Sequence, residues 1–242
     1  ESFGMYKMGF DEEVIKYISS ANIACGFHAG DPMWMRRTVV LAESHGVAVG
    51  AHPSYPDLNG FGRRNLSADP EEVRNDVVYQ ASALSGFTDS KTIQHVKPHG
   101  AMYNQAVADK ELGEAICSAV MEVQDDAILL ALSGSQWVET AKGLGMRVGR
   151  EIFADRAVND DGTLVSRRLP GSVIHDTEEV VDRSLRMVTE GKVISVNGNL
   201  VEVEADSICL HGDTPGAVDM AKSLRSAFER EGIEIMPLAK LV

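Results

Sequence analysis

"NIACGFHAGDP", residues 22–32, passes from an apolar run straight into glycine, histidine, glycine, aspartate and proline. An Asp-Pro pair then opens the helical spacing of "PMWMRRTVVLAESHG" (32–46), so the stretch reads as strand, tight turn and helix. In that reading the strand is scaffold, and the turn presents His28 and Asp31 at its mouth.

Working outward, the same succession recurs. Strands are predicted at "ANIAC" (21–25), "VAVGA" (47–51), "IQHVK" (93–97), "AILLAL" (127–132), "MRVGREIF" (146–153), "SICL" (207–210) and "IEIMP" (233–237). Amphipathic segments lie between them, among them "DPEEVRNDVVYQASALSG" (69–86) and "TPGAVDMAKSLRSAFEREG" (214–232). Continuous apolar strands linked by helices predict an α/β fold with a parallel sheet covered on its outside, either a barrel or a doubly wound sheet. One departure is "KVISVNGNLVEVEAD" (192–206), whose Asn-Gly between alternating apolar runs predicts an inserted β-hairpin. Without linker or repeat, one domain is expected over 1–242.

With 36 acidic against 23 basic side chains in 242 residues, the formal charge of −13 argues against nucleic acid or an anionic membrane surface as partner. No apolar segment is long enough to span a bilayer. The three cysteines, Cys25, Cys117 and Cys209, stand far apart with no CxxC pair, which fits a reducing cytoplasm. There is no GxxxxGK[ST] loop, and the glycines of "GLGMRVG" (143–149) precede a strand, so no nucleotide fingerprint is present. The HExxH and HxxxH metal spacings are missing too, and a divalent metal is left open.

Polar clusters follow the strands, where parallel α/β folds place their active-site face. They hold His28 and Asp31; then His52, Arg63 and Arg64; then Lys97, His99 and Asn104; then Asp155 and Arg156; and finally His211 and Asp213. Four of the seven histidines occupy this position in four different segments, which together point to acid–base work or metal ligation. His45, before Gly46, reads as a helix C-terminal residue, and His95 and His175 as structural. Asp31 before Pro32 also reads as an N-cap, as does Asp213 before Thr214-Pro215.

The motifs "SANIACGFHAGDP", "VGAHPSYPDLNGFGRRN", "HVKPHGAMYN", "EIFADR" and "CLHGDTPGAV" resemble, in order, those of the LamB/YcsF family. The resemblance implies an irregular (β/α)7-type barrel like that of glycoside hydrolases and deacetylases. It also implies ATP-dependent hydrolysis of 5-oxo-L-proline to L-glutamate, with this chain as the A component of a multisubunit 5-oxoprolinase. Subunits B and C would handle ATP as co-substrate, and this chain would open the activated ring. Family members begin close to "DLNCDLGE", of which Glu1 remains, so a first strand is expected outside this sequence. Val158 stands where many relatives carry tyrosine.

Roles assigned from the clusters make His28 or His52 the general base, oriented by Asp31, and His99 or His211 the acid for the leaving nitrogen. Lys97, Arg63 and Arg64 would hold a carboxylate or phosphoryl group, with Asn104, Asp155, Arg156 and Asp213 also binding substrate. The alternatives are a metal-dependent deacetylase of an N-acetylated sugar and a non-catalytic binding or regulatory component.

Overall fold

The computed structural model describes residues 2–212 and 215–242. The chain runs α1 (Asp11–Val14), β1 (Ser20–Ala24), α2 (Pro32–Ser44), β2 (Ala48–His52), α3 (Pro70–Ser85), β3 (His95–Val96), α4 (Gly100–Ala108) and α5 (Lys110–Val123). It continues through β4 (Ile128–Leu132), α6 (Gln136–Gly143), β5 (Val148–Phe153), α7 (Thr177–Thr189), β6 (Lys192–Ile194), β7 (Leu200–Glu202), β8 (Ser207–Cys209) and α8 (Ala217–Arg230).

Six of these strands form one parallel sheet in the order β1-β2-β3-β4-β5-β8. Ala24 pairs with His52, Ala51 with Val96, and Phe153 with Cys209, so the C-terminal strand ends lie level along one rim. Strand β4 is buried along its whole length, as a strand covered on both faces must be. The main core joins β-branched and apolar strand residues such as Val49, Val96 and Leu129 to Val39, Val77, Ile116 and Trp137 on the helices. A second cluster, Ala154, Val180, Met220, Leu224 and Phe228, seats α7 and α8.

Local chemistry sets the boundaries. Asp31, Asp69, Asp109 and Asp176 each accept backbone N–H groups at a helix start, and proline follows the first two. In β2 a Cβ on Gly50 would overlap the His95 ring. That ring crosses over Gly50 to reach Asn22 Oδ1 of β1 at 2.9 Å, which accounts for glycine inside a strand. The hairpin forms as expected, with β6 and β7 antiparallel and Gly198 in the turn at φ +83°.

Two expectations are corrected. "IEIMP" (233–237) is not a strand: no ladder reaches it, and Ile233 and Ile235 instead pack against the second core. A strand needs a hydrogen-bonding neighbour, and β8 is bonded to β5 alone among the described residues. Helix α8 begins at Ala217, after Gly216 at φ +85°, so Pro215 lies before its first turn.

Candidate functional site

The turn after β1 is built on two glycines. Gly26 N–H closes it on the Ala29 carbonyl. Gly30 sits at φ +77°, where a Cβ would be 2.5 Å from the Ala24 carbonyl oxygen, so only glycine lets the chain fold back this tightly. His28 is thereby held inward and 1% exposed. His52 is the last residue of β2, and His99 follows Lys97 and Pro98 at the end of β3. Adjacent strands thus carry the three imidazoles to one point. His99 Nδ1 is 3.0 Å from His52 Nε2, and the His28 ring stacks on His99 with centroids 3.8 Å apart. Gly62 wedges against both, a Cβ there being 2.9 Å from His28 Cβ and from His99 Cδ2.

Burial is the main force on this trio's ionisation. It lowers His28 to about 3 and holds His52 and His99 well below the usual imidazole value, with neighbouring positive charge acting the same way, Arg63 on His28 and His99 and Lys97 on His52. All three are neutral at pH 7.

A second group lies on the opposite strand ends. Asp155, fully buried after β5, accepts from His211 Nδ1 at 2.9 and 3.0 Å through its two carboxylate oxygens. Burial works to raise Asp155, and the His211 hydrogen bond together with the neighbouring positive charge, Arg167 included, outweighs it and holds the carboxyl below its usual value. With Nδ1–H fixed, His211 keeps Nε2 for chemistry. His52, His99 and His211 border a cavity of about 1380 Å³ that is also lined by residues of β1 and β8.

The predicted Asp31–His28 pairing is corrected, and several other predicted residues have partners within the protein. Asp31 does not touch His28; its carboxylate accepts the Met33, Trp34 and Gly4 N–H groups, and the cap explains it fully. His28 Nδ1 meets Ser54 Oγ instead, at 2.9 Å. Lys97 is not an open cation, since its ammonium lies 2.7 Å from Glu151 Oε1 and donates to Cys209 Sγ at 2.9 Å. Burial opposes its charge, and burial also pushes the Cys209 thiol up to about 12, so the neutral thiol leaves Glu151 as the partner that keeps Lys97 protonated. Arg64 pairs with Asp57, and Arg156 donates to the Ser172 and Val165 carbonyls, tying down the loop that follows β5. Asp155 is fully buried and is taken up by His211. Arg63, its guanidinium over the Phe61 ring, and Asn104 line the cavity. Asp213 lies outside the described residues.

Glu151 and Ser54 went unread in the sequence, and Tyr103 was read only as a member of a strand-end cluster. Glu151 had a signal, a charge inside the apolar run "VGREIF". Tyr103, buried with its hydroxyl unpaired beside this ion pair, had only its place in "HGAMYN". Ser54 had none. It is gripped by Gln80 of α3, whose side-chain amide bonds both its N–H and its carbonyl.

The LamB/YcsF family model matches residues 1–242. A protein of Thermococcus onnurineus, named as the A component of 5-oxoprolinase, is 52% identical over 244 residues, covering 100% of this chain and 96% of its own length. One of the same name from Clostridium beijerinckii is also 52% identical, with 100% and 95% covered. The crystal structure of a lactam utilization protein from Thermus thermophilus superposes with a TM-score of 0.91 at 46% identity, covering 98% of this chain and 95% of that one. With its motifs, its strand-end geometry and these full-length likenesses in agreement, the chain belongs to the LamB/YcsF family.

Proposed function

We propose that this chain is the ring-opening component of an ATP-dependent 5-oxoprolinase, converting activated 5-oxo-L-proline to L-glutamate. The observation that carries the reading is His211 on the wall of a large cavity with the buried Asp155 behind it. It stands in a chain whose full-length relatives bear that enzyme's name.

A five-membered lactam is a resonance-stabilised amide, and its oxygen tolerates little added charge. Partner subunits B and C would therefore phosphorylate that oxygen with ATP, which leaves the ring carbon open to water. His211 Nε2 takes the proton from the attacking water, and Asp155 stabilises the resulting imidazolium. The same proton then passes to the ring nitrogen, and as the C–N bond breaks and the carbonyl forms, the adduct's hydroxyl proton follows it by the same imidazole. That transfer decides the outcome, because the tetrahedral adduct returns to lactam if phosphate leaves and opens if a protonated amine leaves. The opened product is an acyl phosphate, and a second water releases phosphate and glutamate. Arg63 and Asn104, on the cavity wall, would meet the substrate carboxylate.

The test is glutamate release from 5-oxoproline and ATP by subunits B and C, with and without this chain. Release only with the chain present is expected, and Asp155→Asn should lower kcat by about 10²-fold or more while leaving KM nearly unchanged. Full release by B and C alone overturns the reading. A purely binding component would show the reverse kinetic pattern, with KM raised and kcat intact.

A further inference from the structure

Proton positions on the clustered imidazoles follow from what stands behind each one. His52 Nδ1 faces the Lys97 carbonyl at 2.6 Å, and His99 Nε2 faces the Phe61 carbonyl at 2.8 Å. A carbonyl only accepts, so both nitrogens carry hydrogen. Ser54 Oγ gives its one proton to the Tyr55 carbonyl at 2.9 Å and must accept from His28 Nδ1. The nitrogens left over, His28 Nε2, His52 Nε2 and His99 Nδ1, are three bare lone pairs; the last two are 3.0 Å apart, and the three residues each offer a ring nitrogen within 4.8 Å of the others. His28 Nε2 is buried with no hydrogen-bond partner at all. Nor does any described carboxylate hydrogen-bond to the three rings.

Lone pairs turned on each other in a dry place repel unless an electron-poor centre joins them. One proton could join two of them, whereas a metal ion takes all three. We propose that His28, His52 and His99 bind a single borderline divalent cation of the zinc type, with its remaining position open to the cavity. Far nitrogens that donate to two carbonyls and a hydroxyl are the outer support that fixes ligating histidines. Gln80, holding Ser54 from α3, extends that support by one more layer. An all-nitrogen set suits zinc and its neighbours and disfavours magnesium or calcium. Zinc–nitrogen bonds of roughly 2.0–2.1 Å place tetrahedral ligands about 3.3 Å apart, close to the 3.0 Å between His52 and His99. An ion lies in the plane of each ring that holds it, so His28 must tilt off its stack on His99 as the ion enters. When bound, such a cation supplies a water that ionises near pH 7.

Binding is read on the intact chain without partners or 5-oxoproline, so failure here and failure of the ring-opening reading are separable. The chain is stripped with chelator, titrated with Zn²⁺ by calorimetry, desalted and assayed for metal. One zinc per chain is expected, with His28→Ala and His52→Ala weakening binding at least about 10²-fold. Ser54→Ala keeps all three ligands and removes only the support behind His28; it should weaken binding by about 10- to 100-fold. His45→Ala, at an exposed helix end, should bind as the parent does. The proposal is overturned if the parent retains no stoichiometric zinc, or if the ligand variants retain it unchanged. Should those variants fail to fold, unchanged affinity in Ser54→Ala overturns it equally.

Discussion

Lys97 and Glu151 sit together at 5% and 1% side-chain exposure, and each makes the other tolerable in that place. Glu151→Ala would leave a buried ammonium with only a neutral thiol beside it. The expected loss is about 3–5 kcal/mol, measured by urea unfolding, and Glu151→Gln should lose less because it keeps an acceptor. His95 tests the other sign. Burial lowers it to about 3 from 6.5, so between those values the unfolded chain binds a proton that the folded chain refuses. Stability should drop as the pH is lowered from about 6.5 to about 3, by up to about 1.4 kcal/mol per unit from this residue, and His95→Phe should show a correspondingly shallower slope. At this scale the sequence marks the reactive residues and leaves their pairings open. "HAGDP" suggests His28 with Asp31, yet the carboxylate that orients an imidazole is Asp155, 56 residues before His211. Nothing in local spacing could reveal that pairing, because parallel strands bring it about.

At the scale of elements, Asp31 is a helix cap, and its replacement separates capping from catalysis. Asp31→Ala should cost about 1 kcal/mol in thermal unfolding and leave ring opening at its parental rate. A rate lost out of proportion to stability would return Asp31 to the chemistry. Gly30→Ala should cost more, since its Cβ would strike the Ala24 carbonyl in a left-handed backbone. Six of the seven predicted strands formed because apolar β-branched runs found parallel neighbours on schedule. "IEIMP" has the same composition and found none. Composition proposes a strand, and only a partner makes one.

Across the whole molecule, the parallel β/α architecture was legible from periodicity, and the strand-end clusters followed from it. The gathering of His28, His52 and His99 at strand ends was legible with them, whereas their separation from His211 was not, because positions 28, 52 and 99 match no metal-binding spacing along the chain. The trio exists through sheet order alone. Among the described residues β1 and β8 are outermost in the sheet, each hydrogen-bonded to one neighbouring strand. Amide hydrogen exchange should therefore be slowest at Val96 and Leu129 and distinctly faster in β1. Faster exchange at β3 than at β1 would contradict the strand order.

Adjacent strands lie about 4.8 Å apart, and that spacing is imposed by backbone hydrogen bonds that no side chain can alter. Since His28, His52 and His99 ride at or just beyond the ends of β1, β2 and β3, the sheet itself acts as the ruler that spaces them. A slip of one residue between β1 and β2 would send alternate side chains to the opposite face and scatter the trio. The centre consequently reports on register: it is assembled when the strands are aligned and lost when they are not, so whatever binds there becomes a lock on the alignment of the sheet.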